Sequence, residues 1–161
     1  MQVGYKKVFT HPLYFFAFGF GSGLSPRAPG TVGTVAAIPL YLILAGFQPW
    51  IYAGIVVAAL LLGVLLCDWV ARDMAVKDPV AIVWDEFVGL WVTLFMLPEG
   101  WYWLIVGFML FRFFDILKPW PVSVLDRELT GGLGIMMDDV AAGLYSLLVL
   151  QVSAYLIGVV L

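Results

Sequence analysis

The sequence predicts an all-α fold: an integral membrane helical bundle of about five spans, with an N-terminal re-entrant or interfacial segment added to it. Three observations predict it. Of 161 residues, 63% are apolar and only 12% charged, and the mean hydropathy is +1.03; that is the composition of a chain solvated by lipid rather than water. Apolar runs of bilayer-crossing length recur along the chain. When the breaks between these runs are placed on alternate sides of a membrane, every Lys and Arg falls on one side.

The elements follow in order. Residues 1–16, MQVGYKKVFTHPLYFF, put two lysines before an apolar stretch. No A-x-A-like cleavage site follows, so the segment is expected to stay in the mature protein. Residues 12–24 carry Gly19, Gly21 and Gly23 at alternate positions, which suits a re-entrant or interfacial segment better than a span. Thr34–Phe47 is a shorter apolar piece, separated by Gln48 and Pro49 from the clear span Trp50–Cys67. Val80–Leu97 is long enough to cross but carries Asp85 and Glu86, and Trp101–Leu117 carries Arg112 and Asp115. Pro119 and Pro121 close that fourth run. Val140–Leu161 is uninterrupted, with Gln151 its most polar member.

This division assigns residues 1–33, 68–86 and 112–139 to the basic side, with Lys6, Lys7, Arg27, Arg72, Lys77, Arg112, Lys118 and Arg127. The opposite breaks hold one charge, Glu99. Five crossings result, with the N-terminus in the cytoplasm and the C-terminus outside. Trp50, Tyr52, Trp101, Tyr102 and Trp103 are expected as the outer aromatic belt, and Trp69, Trp84 and Trp120 as the inner one. Residues 1–161 read as one domain, without repeats or linkers.

Several functions are excluded by counting. Eight basic against eleven acidic residues leave a net charge of −3, where nucleic-acid binding wants a basic surface. Cys67 is alone and forms no disulfide framework. It precedes Arg72 by four intervening residues rather than the five of a Cys-x5-Arg phosphate loop. His11, the single histidine, reads as a surface residue, and a mechanism needing two histidines fails. No Asp-x-Asp pair supports a haloacid-type aspartyl phosphate.

What remains is carboxylate chemistry. All acids except Glu99 fall on the basic side, several inside apolar runs. A charge in hydrocarbon costs several kcal/mol, so such groups face a polar cavity, pair with one another or bind ions. Arg112 and Asp115, three apart, can neutralise each other. Asp85-Glu86 and Asp138-Asp139 have no basic neighbour in sequence. Clustered carboxylates in a nearly dry site want a cation, and all-oxygen ligands select a hard one such as Mg²⁺.

Two glycine-rich stretches precede helices. GSGLSPRAPGTVGT, residues 21–34, is either a lead-in turn or an anion-binding loop, with Ser25, Thr31 and Thr34 as its phosphate-contacting hydroxyls and Thr31 and Thr34 also suited to cap the next helix. GGLGIMMDD, residues 131–139, repeats the theme with either an anion or a metal. Arg112, Lys118 and Arg127 form a basic trio near the acids, suited to phosphate binding or to snorkelling alone.

Three blocks resemble the signatures of the phosphatidylglycerophosphatase A family: GFGSGLSPRAPGTVGTVAAIPLY, DPVAIVWDEFVGLW and FRFFDILKPWPVSVLDRELTGGLGIMMDDVAAG. They stand in that family's order. The resemblance implies Mg²⁺-dependent hydrolysis of the terminal phosphomonoester of phosphatidylglycerophosphate, giving phosphatidylglycerol and phosphate, at the inner membrane of a bacterium. Lys6, Lys7, Glu99 and the C-terminal span lie outside the blocks.

Combined, these readings assign Mg²⁺ to Asp85, Glu86, Asp138 and Asp139, and phosphoryl oxygens or the phosphodiester to Arg112, Lys118 and Arg127. Asp115 is the general base or nucleophile, with Asp85 and Asp139 as the other catalytic acids. A small cation transporter or channel is the rival, but such a path needs polar residues in both halves of the membrane, and the outer half is nearly bare. A non-catalytic subunit of a membrane complex is the other.

Overall fold

The computed structural model describes residues 4–158, which contain helices and no strand. Helices α1 (Tyr5–Thr10) and α2 (Pro12–Ala17) and a 3-10 segment (Gly19–Leu24) precede α3 (Pro29–Leu44) and α4 (Pro49–Met74). Then come α5 (Trp84–Thr93), α6 (Trp101–Leu117), α7 (Val122–Glu128) and α8 (Gly131–Leu156). Pro12, Pro29 and Pro49 each open a helix, where a missing amide hydrogen costs nothing. The expected helix end at Leu161 lies outside the described residues.

Two helices, α4 and α8, are long and apolar enough to cross a membrane; at about 1.5 Å per residue each reaches about 39 Å. The other three expected spans are shorter: α3 has 16 residues, α6 has 17 and α5 has ten. At about 15 Å, α5 is half a bilayer's hydrocarbon thickness. The run Val80–Leu97 is apolar because it is buried, not because it is one helix. Its first residues are non-helical chain pinned to α2, with Val83 N donating to Ala17 O at 2.9 Å.

Helix α5 is the centre of the bundle. Phe87, Val88, Gly89, Leu90, Trp91 and Thr93 are all buried, and α3, α4, α6 and α8 pack around it. The turn that follows α5 is tied to α8 by Gln151, whose Nε2 donates to Phe95 O at 3.1 Å and Met96 O at 2.9 Å.

Missing side chains let the backbones meet. A Cβ on Gly143 of α8 would stand 2.6 Å from Gly89 O of α5. At the start of α8, Gly132 lies directly against the Val64 carbonyl of α4. Residues 131–134 are therefore helix rather than lead-in loop. Away from these seams α4 turns Val57, Leu61, Leu62 and Leu65 outward.

The aromatic residues divide differently from expectation. Trp50, Trp101, Tyr102, Trp69 and Trp120 are exposed. Tyr52 and Trp103 are core, and Tyr52 OH donates to Trp91 O at 2.6 Å. Trp84 is half-buried, donating from Nε1 to Ala59 O at 3.1 Å. His11 is half-buried rather than on the surface, its ring stacked on Trp69 at 5.0 Å. Nearby, Lys7 Nζ lies 2.6 Å from Asp73 Oδ2, and Tyr14 OH donates to the same oxygen at 2.7 Å. Asp73, and then Tyr14, hold the exposed Lys7 ammonium above its ordinary range.

Candidate active site

Three helix ends converge. The first turn of α5 carries Asp85 and Glu86, the last two turns of α6 carry Arg112 and Asp115, and α8 carries Asp138 and Asp139 within three turns of its start. One carboxylate oxygen each of Asp85, Glu86 and Asp139 lies within 4.8 Å of the others. Asp139 is 4% exposed, so the cluster is nearly dry. The Asp115 carboxylate also faces Asp139.

Successive residues on a helix point about 100° apart, and this separates the two aspartates of α8. Asp139 faces the carboxylates of α5. Asp138 faces Lys118, whose Nζ is 2.7 Å from Asp138 Oδ2. Lys118 follows the end of α6 in left-handed backbone geometry, at φ 44°.

On the other flank Arg112 Nη1 lies 2.6 Å from Asp115 Oδ2 and 3.8 Å from Glu86 Oε1. It also donates to Thr34 Oγ1 at 3.4 Å. One guanidinium thereby joins α3, α5 and α6. Charges as buried as these persist only when paired or ligated.

Not every predicted residue arrives. Thr34 reaches the site, but as an interior residue of α3, with its hydroxyl donating to Gly30 O at 2.8 Å. Helix α3 starts at Pro29 after Ala28, so neither Thr31 nor Thr34 is a cap. Ser25 Oγ donates to Arg27 O at 2.8 Å within its own turn. Among the described residues no hydrogen bond joins Ser25 or Thr31 to the carboxylates. Arg127 is exposed on α7, with Nε donating to Ser123 O at 3.0 Å, and leaves the basic trio as a pair.

Other residues join unannounced. Gly30 packs against Glu86 Oε1 and the Arg112 guanidinium, where any side chain would collide. A cavity of about 40 Å³ opens beside the cluster, lined by Lys77, Asp78, Asp85, Thr130 and Asp138 among others. Asp78 and Lys77 were legible only as ordinary loop charges.

The donor set fits a hard divalent cation. Asp85 Oδ1, Glu86 Oε2 and Asp139 Oδ2 are buried with no hydrogen-bond partner among the described residues. Buried acceptors without donors are rare in native structures, and all-oxygen sets of this kind suit Mg²⁺, Mn²⁺ or Ca²⁺.

An all-helical bundle with clustered acids and cations at one end of its helices defines a class: a helical enzyme that works on a charged group. The comparisons with known proteins narrow it. The chain belongs to the phosphatidylglycerophosphatase A family, whose profile matches residues 15–154. It is 48% identical over 139 residues to the phosphatidylglycerophosphatase A of Escherichia coli K12, covering 85% of this chain and 80% of that one. It is 44% identical over 153 residues to the phosphatidylglycerophosphatase A of Haemophilus influenzae, covering 93% and 94%. No solved structure matches.

Proposed function

We propose that the chain hydrolyses the terminal phosphomonoester of phosphatidylglycerophosphate, at the cytoplasmic face of a bacterial inner membrane. The observation that carries the reading is the meeting of Asp85, Glu86 and Asp139 within 4.8 Å, flanked by the Arg112–Asp115 and Lys118–Asp138 pairs, in a member of this family. Asp85, Glu86 and Asp139 would hold Mg²⁺, whose charge offsets that of a phosphomonoester dianion.

The chain's own groups do the rest. Arg112 pairs with Asp115 while its buried Nε has no partner among the described residues, and Lys118 pairs with Asp138; both cations stand where phosphoryl oxygens would be bound. Asp115 is the general base: Arg112, 2.6 Å away, holds its carboxylate in place beside the cluster. It takes a proton from the water that attacks phosphorus. The bond from phosphorus to the glycerol oxygen breaks, and that oxygen takes up the proton Asp115 received. One water is consumed, and phosphatidylglycerol and phosphate leave.

For the membrane arrangement, α3, α4, α5, α6 and α8 run alternately, with the N-terminus inside. The starts of α5 and α8 and the end of α6 meet at the acid cluster, and Gln151 meets Met96 at the other end. That supports five crossings, the middle one a short helix with irregular flanks buried among the others. The cluster stops at one end of the bundle, which favours a reaction site over an ion path. The test is phosphate release by the purified protein from phosphatidylglycerophosphate, with Mg²⁺ and with chelator. Release that is equal in both would remove the metal; no release in either would remove the activity.

A further inference from the structure

The 40 Å³ cavity beside Asp85 and Asp138 has a larger neighbour. An open cavity of about 380 Å³ is lined by Asp68, Arg72, Ala75, Val76, Lys77 and Thr130, with others. Lys77, Thr130 and Gly131 line both cavities, so the two share a wall. The larger one is polar on the side toward α8 and has an apolar rim at Ala75 and Val76.

Its basic groups are exposed, the Arg72 side chain at 80%, and Arg72 has a fixed partner. Arg72 Nη2 lies 2.8 Å from Asp68 Oδ2, and Asp68 Oδ1 accepts a hydrogen bond from Gly132 N at 3.2 Å. The guanidinium is thus tethered through Asp68 to the start of α8, the helix that carries Asp138 and Asp139. Lys77 stands on the shared wall.

A phosphatidylglycerophosphate headgroup carries two phosphates, the terminal monoester and the diester, joined by one glycerol. The smaller cavity, at about 40 Å³ against about 380 Å³, suits a phosphoryl group's worth of ligand or water. Its larger neighbour, across the shared wall, is the one with room for the rest of the headgroup. We propose that the 380 Å³ cavity is the subsite for the lipid's phosphodiester. Arg72 and Lys77 there select a lipid with a second phosphate behind the terminal one. The proposal rests on the lipid-phosphatase reading above. It assigns to these two residues substrate binding rather than a share in the chemical step.

The test is steady-state kinetics of the purified full chain with Mg²⁺ in mixed micelles, comparing wild type with Arg72→Gln/Lys77→Gln. KM for phosphatidylglycerophosphate should rise about 10-fold with kcat within about twofold, the mark of lost ground-state binding. Arg72→Lys/Lys77→Arg should bring KM back to within about threefold. Phosphatidic acid, a lipid with one terminal phosphate and no diester, should compete about equally well, within about twofold, against wild type and Arg72→Gln, because Arg72 lines only the larger cavity. Because losing Arg72 also frees Asp68, Lys77→Gln alone is the second variant, with a KM rise of about threefold or more expected. An unchanged KM in an active double variant overturns the subsite alone, and so does an equal weakening of phosphatidic acid. A wild type that releases no phosphate overturns the parent reading and the subsite with it.

Discussion

Gln151 Nε2 donates a hydrogen bond to the Met96 carbonyl at 2.9 Å, across 55 residues of chain and at the end of the bundle away from the carboxylates. The same nitrogen reaches Phe95 O. Gln151→Leu leaves both carbonyls without this donor. A loss of about 1–3 kcal/mol of stability is expected, read as a lower thermal midpoint in detergent. Turnover per folded molecule should be close to wild type, since the acid cluster is untouched. A midpoint equal to wild type would show that water reaches these carbonyls.

The carboxylates of α5 and α8 make a sharper prediction. Asp85→Asn and Asp139→Asn keep shape and remove charge. Each should lower kcat/KM at least about 100-fold, about 2.7 kcal/mol of transition-state stabilisation. The Mg²⁺ concentration for half-maximal activity should rise in both. Near-normal turnover in both variants would refute a metal at this site.

Asp115→Asn separates base from partner. A base is needed in every turnover, so kcat per folded molecule should fall by about 100-fold or more, in addition to the stability lost by unpairing Arg112. Hydroxylamine should trap nothing at Asp115 in the wild type. An adduct there would identify it as the nucleophile instead, and a folded variant with full turnover would reduce it to a counter-ion for Arg112.

Gly30→Ala tests the cradle around Glu86. The added methyl meets the end of a flexible side chain, so Glu86 and Arg112 must shift while the backbone need not. In a helix the change favours folding by about 0.5–1 kcal/mol. Activity should fall about 10-fold or more with the midpoint unchanged or raised. Wild-type kinetics would show that Glu86 can move without consequence.

Topology is checked by cysteine labelling from outside intact cells. Positions beside Glu99 should react, and positions beside Lys77 and Arg127 should not. Reaction at Arg127 would invert or break the proposed arrangement.

Much of this was legible in the residues. Trp101–Leu117 was bounded correctly because the run is apolar, starts after Pro98-Glu99-Gly100 and stops at Lys118-Pro119. Helix α4 began one residue before its expected start, at a proline. Helix α5 was misread because apolarity reports burial, and a short core helix with buried flanks looks like a span. Helix α8 was begun nine residues late, since its glycines serve close contact with α4, and glycines serving contact look like glycines serving a loop. In the site, both acidic pairs were visible, as was the Arg112–Asp115 spacing. Which aspartate of α8 meets α5 and which meets Lys118 was not, because it depends on the rotation of α8 against its neighbours. Gln151 stood out as polar, but its partners lie 55 and 56 residues away.

That rotation has a wider meaning. Asp139 and Gln151 are twelve residues apart, about 18 Å along α8, and each bonds or faces a different end of α5. A turn of α8 by one residue position, about 100°, would present Asp138 to the carboxylates and strip the far end of α5 of its donor in the same motion. The two ends are therefore keyed to one angle. A force that twists α8 at its far end would therefore be felt at the acid cluster.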